Sequence, residues 1–312
     1  MRISSSLFIT ALGVSTTAVF VACTGDTSTV VPGADSGGGA DTSTADAPVD
    51  ALPAPDTGIA DSNVADTADA TPPWTPAALN GLSAWFDGNK DVSVANGTVQ
   101  NWKDQSSNNN NAFNLTPANQ PTTVGNVVNG RSVIRFDGAG KQWLNVFDAA
   151  TLQFGTGDFA IVEVMAYTNV ASSSGTTGYG ALWVKTQPQA PYTGPAMFGN
   201  DPTVPSSAIR TQLKLGLSVD SSKTGYNDGS FHIVGMRRTG TTLEARGDGT
   251  SNTTANASTD VSAVASDIWI GGRGNGAQAL KGDIAEIVVV KGTLSDPNLA
   301  TLEGYLKAKY AL

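Results

Sequence analysis

A compositional break at residue 73 decides where this chain can fold. Residues 24–73 contain no aromatic residue, no Lys, no Arg and no Glu. They do contain nine aspartates, at positions 26, 35, 41, 46, 50, 56, 61, 66 and 69, in a background of mainly Ala, Thr, Ser, Gly, Pro and Val. Such a stretch cannot bury enough apolar surface to offset the entropy of ordering it, so it is expected to stay disordered. Spaced like charges and prolines should keep it extended. The 312-residue chain has a formal net charge of −9, yet the part beyond residue 73 holds 17 basic and 18 acidic residues. The acidity therefore belongs to the tether, which reads as a solvated stalk rather than a calcium buffer. No basic footprint for nucleic acid is left in the foldable part.

The stretch before the tether reads as an export signal. Arg2 is the only charge in the first 25 residues and precedes an apolar run from Leu7 to Val21 that ends at Ala22-Cys23. A positive start, a short apolar core and a small residue before the cut form the secretory pattern. Cys23 is the chain's single cysteine, which excludes a disulfide framework and multi-thiolate metal sites. The Ala22-Cys23 junction resembles a bacterial lipoprotein box, although Phe20 replaces the usual Leu. That resemblance implies lipidation of Cys23 as the mature N-terminus. Thr24, standing where a retention Asp would sit, implies the outer membrane, with the domain at the cell surface or on the periplasmic face. An uncleaved anchor is the alternative, but Ser4 to Ser6 and Ser15 to Thr17 leave the segment weakly apolar for the ~20 residues of a spanning helix. The expected organisation is a signal peptide over 1–22, an acidic tether over 23–73 and one folded domain over 74–312.

From Trp74 onward, short apolar runs alternate with Gly, Asn and Asp turns. High Gly with few charges and this punctuation predict an all-β antiparallel sandwich of the jelly-roll type, made of two sheets. Candidate strands are Leu82–Phe86, Thr98–Lys103, Ser132–Phe136, Asp158–Tyr167, Ala181–Lys185, Thr211–Val219, Phe231–Arg238, Thr241–Arg246, Asp267–Gly271 and Gly282–Val290. Thr211–Val219 alternates, with Leu213, Leu215, Leu217 and Val219 on one face, which predicts a single half-buried strand. Ile284 to Val290 is almost continuously apolar, as a strand covered on both sides requires. One helix is expected at the end: Ser295 can cap it, Pro297 suits its first turn, and Leu299, Leu302, Leu306 and Tyr310 form one stripe.

Four motifs in order carry a family resemblance. Leu82-Ser-Ala-Trp85-Phe-Asp87, with Val99-Gln-Asn-Trp102-Lys-Asp104-Gln-Ser106 and the asparagine cluster after it, resembles the opening of bacterial laminin-G-like, concanavalin A-like lectin/glucanase jelly rolls. Asn129-Gly130-Arg-Ser-Val133-Ile-Arg135-Phe136-Asp137-Gly138 is the second, and Phe231-His232 through Gly247-Asp248-Gly249 the third. Gly282-Asp283-Ile-Ala285-Glu286-Ile with Leu302-Glu303-Gly304-Tyr305-Leu306 is the fourth. Phe231, Arg246, Ser107 and Asn109 depart from the pattern. The resemblance implies the fold and places Trp85 and Trp102 in its core.

Glucanases of this superfamily need two carboxylates across the scissile bond, ~5–9 Å apart. Residues 74–312 hold four glutamates, Glu163, Glu244, Glu286 and Glu303, none with an acidic residue two positions away. The single histidine, His232, lies in an apolar strand, and no Gly-x-Ser-x-Gly elbow is present. A non-enzyme is expected; a glycan-active hydrolase or lyase, marked by acids converging from different strands, is the first alternative. A structural envelope module binding a protein partner is the second. Asp104, Ser106, Asn108 and Asn110 place oxygens at alternate positions, so Asp104 and Asn108, joined by Asp137, form a candidate calcium site, with turn chemistry as the competing reading. For a glycan or polysaccharide, the candidate aromatic platforms are Trp183, Tyr192, Trp143 and Trp269. Trp183 and Tyr192 flank the 186–209 loop, with the 172–180 loop as the opposite rim.

Overall fold

A computed structural model describes residues 73–138, 141–168, 180–199, 207–255, 257–274 and 277–312. The signal, Cys23 and the tether lie outside the described residues, as does nearly all of the 172–180 loop and the 200–206 part of the other rim.

Seventeen strands, one α-helix and three short 3-10 turns make up the described fold. In chain order the strands are β1 Leu82–Asp87, β2 Val92–Ala95, β3 Thr98–Trp102, β4 Ala112–Phe113, β5 Thr122–Val128, β6 Arg131–Asp137, β7 Leu144–Val146, β8 Phe159–Tyr167 and β9 Gly180–Val184. They continue with β10 Ala196–Gly199, β11 Arg210–Lys214, β12 Leu217–Asp220, β13 His232–Thr239, β14 Thr242–Gly247, β15 Thr250–Thr254, β16 Ile268–Ile270 and β17 Lys281–Lys291. The helix α1 spans Asp296–Tyr310. The all-β expectation holds, with pairings that are antiparallel throughout.

Two ladders share one interior. The back ladder runs β15–β14–β13–β8–β17, and the far edge of β17 is divided between β6 and β1, with β5 beyond β6. The front ladder runs β2–β3–β4–β7–β16–β9–β10–β11–β12. A bridge between Thr98 and Thr122 joins them, so they form a continuous, barrel-like sheet rather than the two separate sheets expected. The interior holds Phe86, Ile161, Met165, Ile287 and Val289 from the back ladder and Val99, Trp102, Leu144, Leu182, Leu213 and Ile268 from the front. Trp85 and Trp102 are both buried, as the resemblance implies.

Every residue of β8 is buried, and so is β17 from Asp283 to Val290, because α1 closes the face that the interior does not. Ser295 accepts a hydrogen bond from the Asn298 amide, Pro297 occupies the first turn, and Ala311 ends the helix in the left-handed region at φ 56°. Leu299, Leu302, Leu306 and Tyr310 pack on the Ala160, Val162 and Val164 face of β8 and the Val288 and Val290 face of β17. Each leucine buried this way contributes roughly 1.5–3 kcal/mol.

One strand expectation is corrected. Thr211–Val219 is not a single strand but the hairpin of β11 and β12, turning at Leu215-Gly216. Gly216 sits at φ 81°, which favours glycine, and Leu215 is 63% exposed at the tip.

Candidate functional site

Outward-facing residues of the front ladder fall into one cross-strand row. Asn101 on β3 is opposite Phe113 on β4, Phe113 is opposite Asn145 on β7, and Asn145 is opposite Trp269 on β16. The row continues to Val184, Ala196 and Gln212. Residues directly opposite across a ladder share a face. Their chain neighbours Trp102, Ala112, Leu144 and Ile268 point into the core, so this row points out.

Aromatic pairs stand at both ends of its central part. Phe113 and Phe147 meet edge to face at 4.7 Å, and Trp143 and Trp269 do so at 6.1 Å. Phe147 is 62% exposed, and the two tryptophans are half-buried. Beside the first pair lies a cleft of about 300 Å³, bounded by Asn101, Asn109, Asn111, Phe113, Phe147 and Asp148. Amide groups that both donate and accept, set beside an aromatic edge, suit a ring bearing several hydroxyls.

The floor of this face is held by a buried cation. Lys185 is fully buried and donates to Asp148 Oδ1 at 2.6 Å and to the carbonyls of Ser266 and Ala263 at 2.9 and 3.1 Å. The other Asp148 oxygen accepts from the Ala265 amide at 2.7 Å and Gln153 at 2.8 Å. Burial pushes the Lys185 pKa down against the pull of Asp148. Burial works against the Asp148 charge too, but its hydrogen bonds from Lys185 and the Ala265 amide outweigh it and the pKa is lowered. Asp148 is thus a fixed anion committed to the scaffold. Asp267 accepts from the Asp148 amide and from Asn145, which fixes the Asn145 side chain within the row.

The four proposed platforms separate. Trp143 and Trp269 form the pair just described. Tyr192 is 39% exposed in a turn at φ 55° and lies near Arg273. Trp183 is fully buried and belongs to the interior, so no ligand can stack on it. A bulge causes this: the β9–β10 register shifts at Met197/Phe198, and the consecutive residues Leu182 and Trp183 both turn inward.

The candidate calcium loop is occupied by its own turn. Asp104 Oδ1 accepts from the amides of Trp85 and Ser106 at 2.8 Å each. Oδ2 accepts from the Ser106 hydroxyl at 2.7 Å and the Asn110 amide at 2.9 Å. Asn108 turns its amide nitrogen, not its oxygen, to the Leu82 and Ser83 carbonyls. Asp137 sits on β6 opposite Lys281 of β17 and makes none of these bonds. Among the described residues no group of three or more His, Cys, Asp or Glu is arranged to hold a metal ion. His232 is likewise engaged, with Nδ1 2.9 Å from Asp248 and Nε2 3.1 Å from Asp228.

Sequence reasoning missed Asn101, Phe113, Asn145, Phe147 and Arg273. One signal for part of them was present. In Trp143-Leu-Asn145-Val-Phe147 every second residue is an aromatic or amide, and Leu144 and Val146 between them are buried. That is the period of a strand with one ligand-suited face.

No family model and no curated protein matches the chain. Solved structures of β-rich domains do match in shape. The binding domain of paraclostridial mosquitocidal protein 1 aligns with a TM-score of 0.53 at 13% identity, covering 73% of this chain and 52% of that one. An arabinofuranosidase complexed with arabinofuranosyl-α-1,2-xylobiose gives 0.52 at 14%, covering 75% and 60%. A GH54 α-L-arabinofuranosidase soaked with a cyclic sulfate inhibitor gives 0.52 at 14%, covering 76% and 60%. The chain therefore spans about half to three fifths of the proteins it resembles. At such identity the likeness establishes the fold alone.

Proposed function

We propose that the folded domain is a non-catalytic glycan-binding module that recognises a surface polysaccharide through the outer face of its front ladder. The observation that carries this reading is the row Asn101, Phe113, Asn145, Trp269, in which amide and aromatic side chains alternate in register and are flanked by Phe147 and Trp143. The shape shared with an arabinofuranosidase holding an arabinofuranosyl xylobiose is in keeping with it. So are the positions of the glutamates. Glu163 lies inside the barrel, Glu244 and Glu303 pair with Arg246, and Glu286 pairs with Lys309, which leaves no glutamate pair on this face. The domain is carried, in this reading, on the acidic tether from a lipid anchor at Cys23 in the outer membrane. Replacing Cys23 by Ala is then expected to release the protein from the membrane fraction.

The test is a glycan array probed with the full chain and with Phe147→Ala and Trp269→Ala. Selective binding by the native chain that both substitutions weaken supports the reading. An array without signal, or signal indifferent to both substitutions, rejects it.

A further inference from the structure

The described arginines differ in one respect. Arg135 and Arg210 each form a two-pronged ion pair, with Asp283 and Asp220. Arg237 and Arg246 share Glu244 and reach Asp296 and Glu303 respectively. Arg238 is saturated by the carbonyls of Gly155, Gly157, Ala257 and Thr259, and Arg131 donates to the Lys309 carbonyl. Arg273 has no carboxylate or carbonyl for its guanidinium among the described residues. Its Nη2 donates to the Thr186 hydroxyl at 3.1 Å, and its Nε is buried with no acceptor among the described residues.

This guanidinium belongs to the same face as the aromatic row. Arg273 lies three residues past the end of β16, and the next residue, Gly274, lies against the Trp269 indole: a Cβ there would be 2.5 Å from Cη2. Thr186 lies two residues past β9, whose Val184 is opposite Trp269, and Tyr192 is a near neighbour of Arg273. The Arg273 main chain is pinned, its amide donating to the Ala277 carbonyl at 3.0 Å. Burial lowers its pKa and outweighs the opposing effect of Tyr192, so the charge is held where solvation is poor and no carboxylate among the described residues compensates it. An anion arriving there supplies what the protein does not, in a setting that screens less than bulk water.

We propose that Arg273 is the carboxylate-recognising residue of this face, and that the ligand is therefore an acidic glycan, one built with uronic acids, rather than a neutral one. The inference rests on the glycan-binding reading and narrows it. The sugar ring packs against the Trp143–Trp269 pair while its carboxylate takes the free end of the guanidinium fork beside Thr186.

The experiment is calorimetric titration of the full chain with oligogalacturonate and oligoglucuronate, and with the same oligomers after their carboxyl groups are reduced to alcohols. Carboxyl reduction is expected to weaken binding about tenfold or more, the scale of losing a hydrogen-bonded charge partner. Arg273→Gln should bring the acidic oligomers down to the level of the reduced ones and leave the reduced ones unchanged. Arg273→Lys should fall between, since it keeps the charge and loses the planar fork. Equal affinity of the native chain for acidic and reduced forms, or an acid preference that survives Arg273→Gln, overturns the role of Arg273 and leaves the glycan reading standing. Binding of neither form, with neutral arabinan, xylan and galactan also inert, overturns both. An unchanged melting temperature for Arg273→Gln certifies that a lost preference is not lost folding.

Discussion

The two ladders finish their outer faces in opposite ways. On the back ladder the face is aliphatic, and α1 covers it with Leu299, Leu302, Leu306 and Tyr310. On the front ladder the face mixes aromatic rings with amides, and Asn101, Phe113, Asn145 and Trp269 are left half-buried. One cation from each face repeats the contrast, although Lys185 on the front is paired with Asp148. Lys309, on the helix, lies 2.7 Å from Asp87 and 2.6 Å from Glu286, and Glu286 also accepts from Trp85 Nε1 and the Tyr310 hydroxyl. Arg273, on the front, has a threonine hydroxyl. Lys309 thus serves the architecture, whereas Arg273 has no carboxylate partner among the described residues and is, in the proposal above, the charge that meets a ligand.

Substituting these two cations sharpens that contrast most. Burial opposes the charge on Lys309, but Glu286 and Asp87 outweigh it and its pKa is raised. Lys309→Ala leaves Asp87 and Glu286 buried and uncompensated, a change expected to cost about 3–5 kcal/mol of folding free energy. Arg273→Gln should alter stability by no more than about 0.5 kcal/mol, as substitutions outside such networks do. Urea unfolding of both variants measures this, and equal losses would dissolve the distinction.

The interior that the two ladders share predicts the next largest effect. Glu163 on β8 is fully buried with neither oxygen hydrogen-bonded, and burial pushes its pKa up to about 8. In the unfolded chain the same group titrates near ~4.3. Between those values the folded protein holds a proton that the unfolded chain has released, so stability falls as pH rises. The slope is at most about 1.4 kcal/mol per pH unit, flattening above the folded pKa. Denaturation midpoints taken from pH 5 to 9 should show this decline, and Glu163→Gln should remove most of it.

Much of the back ladder was legible because its environment is uniform. A strand covered on both sides reads as an apolar run, and β8 and β17 do; a capped amphipathic stripe reads as a helix, and α1 does. The front ladder resisted for specific reasons. β11 and β12 meet in a two-residue turn, with Lys214 opposite Leu217, so the alternation passes through Leu215-Gly216 without losing step and mimics one strand. The back ladder has its own exception in β15, Thr250–Thr254, which has no apolar residue to mark it. Flanking the 186–209 loop does not expose Trp183, because a bulge in β9 turns it into the interior together with Leu182. The row of Asn101, Phe113, Asn145 and Trp269 draws on strands from four parts of the chain, and only pairing reveals it. Arg273 was invisible because what marks it is the absence of a partner, and partners are a property of the folded state.

Phe147→Ala tests the front face alone. The side chain is 62% exposed, so its loss should change stability by less than about 0.5 kcal/mol. If the Phe113–Phe147 edge receives a sugar ring, affinity for the bound glycan should drop about tenfold, as for a binding aromatic truncated at an interface. The corresponding truncation on the back face, Leu302→Ala, should do the reverse. It should destabilise by about 2–5 kcal/mol and leave affinity of the folded fraction unchanged.

The smallest effect concerns the crossover from one ladder to the other. After β12 the chain leaves the front and enters the back at β13, and His232, the first residue of β13, ties that passage down. Its Nε2 meets Asp228 in the incoming loop and its Nδ1 meets Asp248 in the turn between β14 and β15. The Asp248 hydrogen bond raises its pKa, burial opposes the shift, and Asp228 adds to it. A raised histidine pKa means the folded state favours the protonated form. The contribution to stability is therefore complete below the unfolded value of about 6.5 and fades as pH rises through the folded one. Because Asp228 is half exposed, solvent screens that contact and the gain should stay below about 1 kcal/mol. His232→Gln should lower stability at pH 5.5 and have less effect at pH 9, which urea midpoints at the two values decide. A loss equal at both would mean that His232 holds the crossover by shape and neutral hydrogen bonds, not by charge.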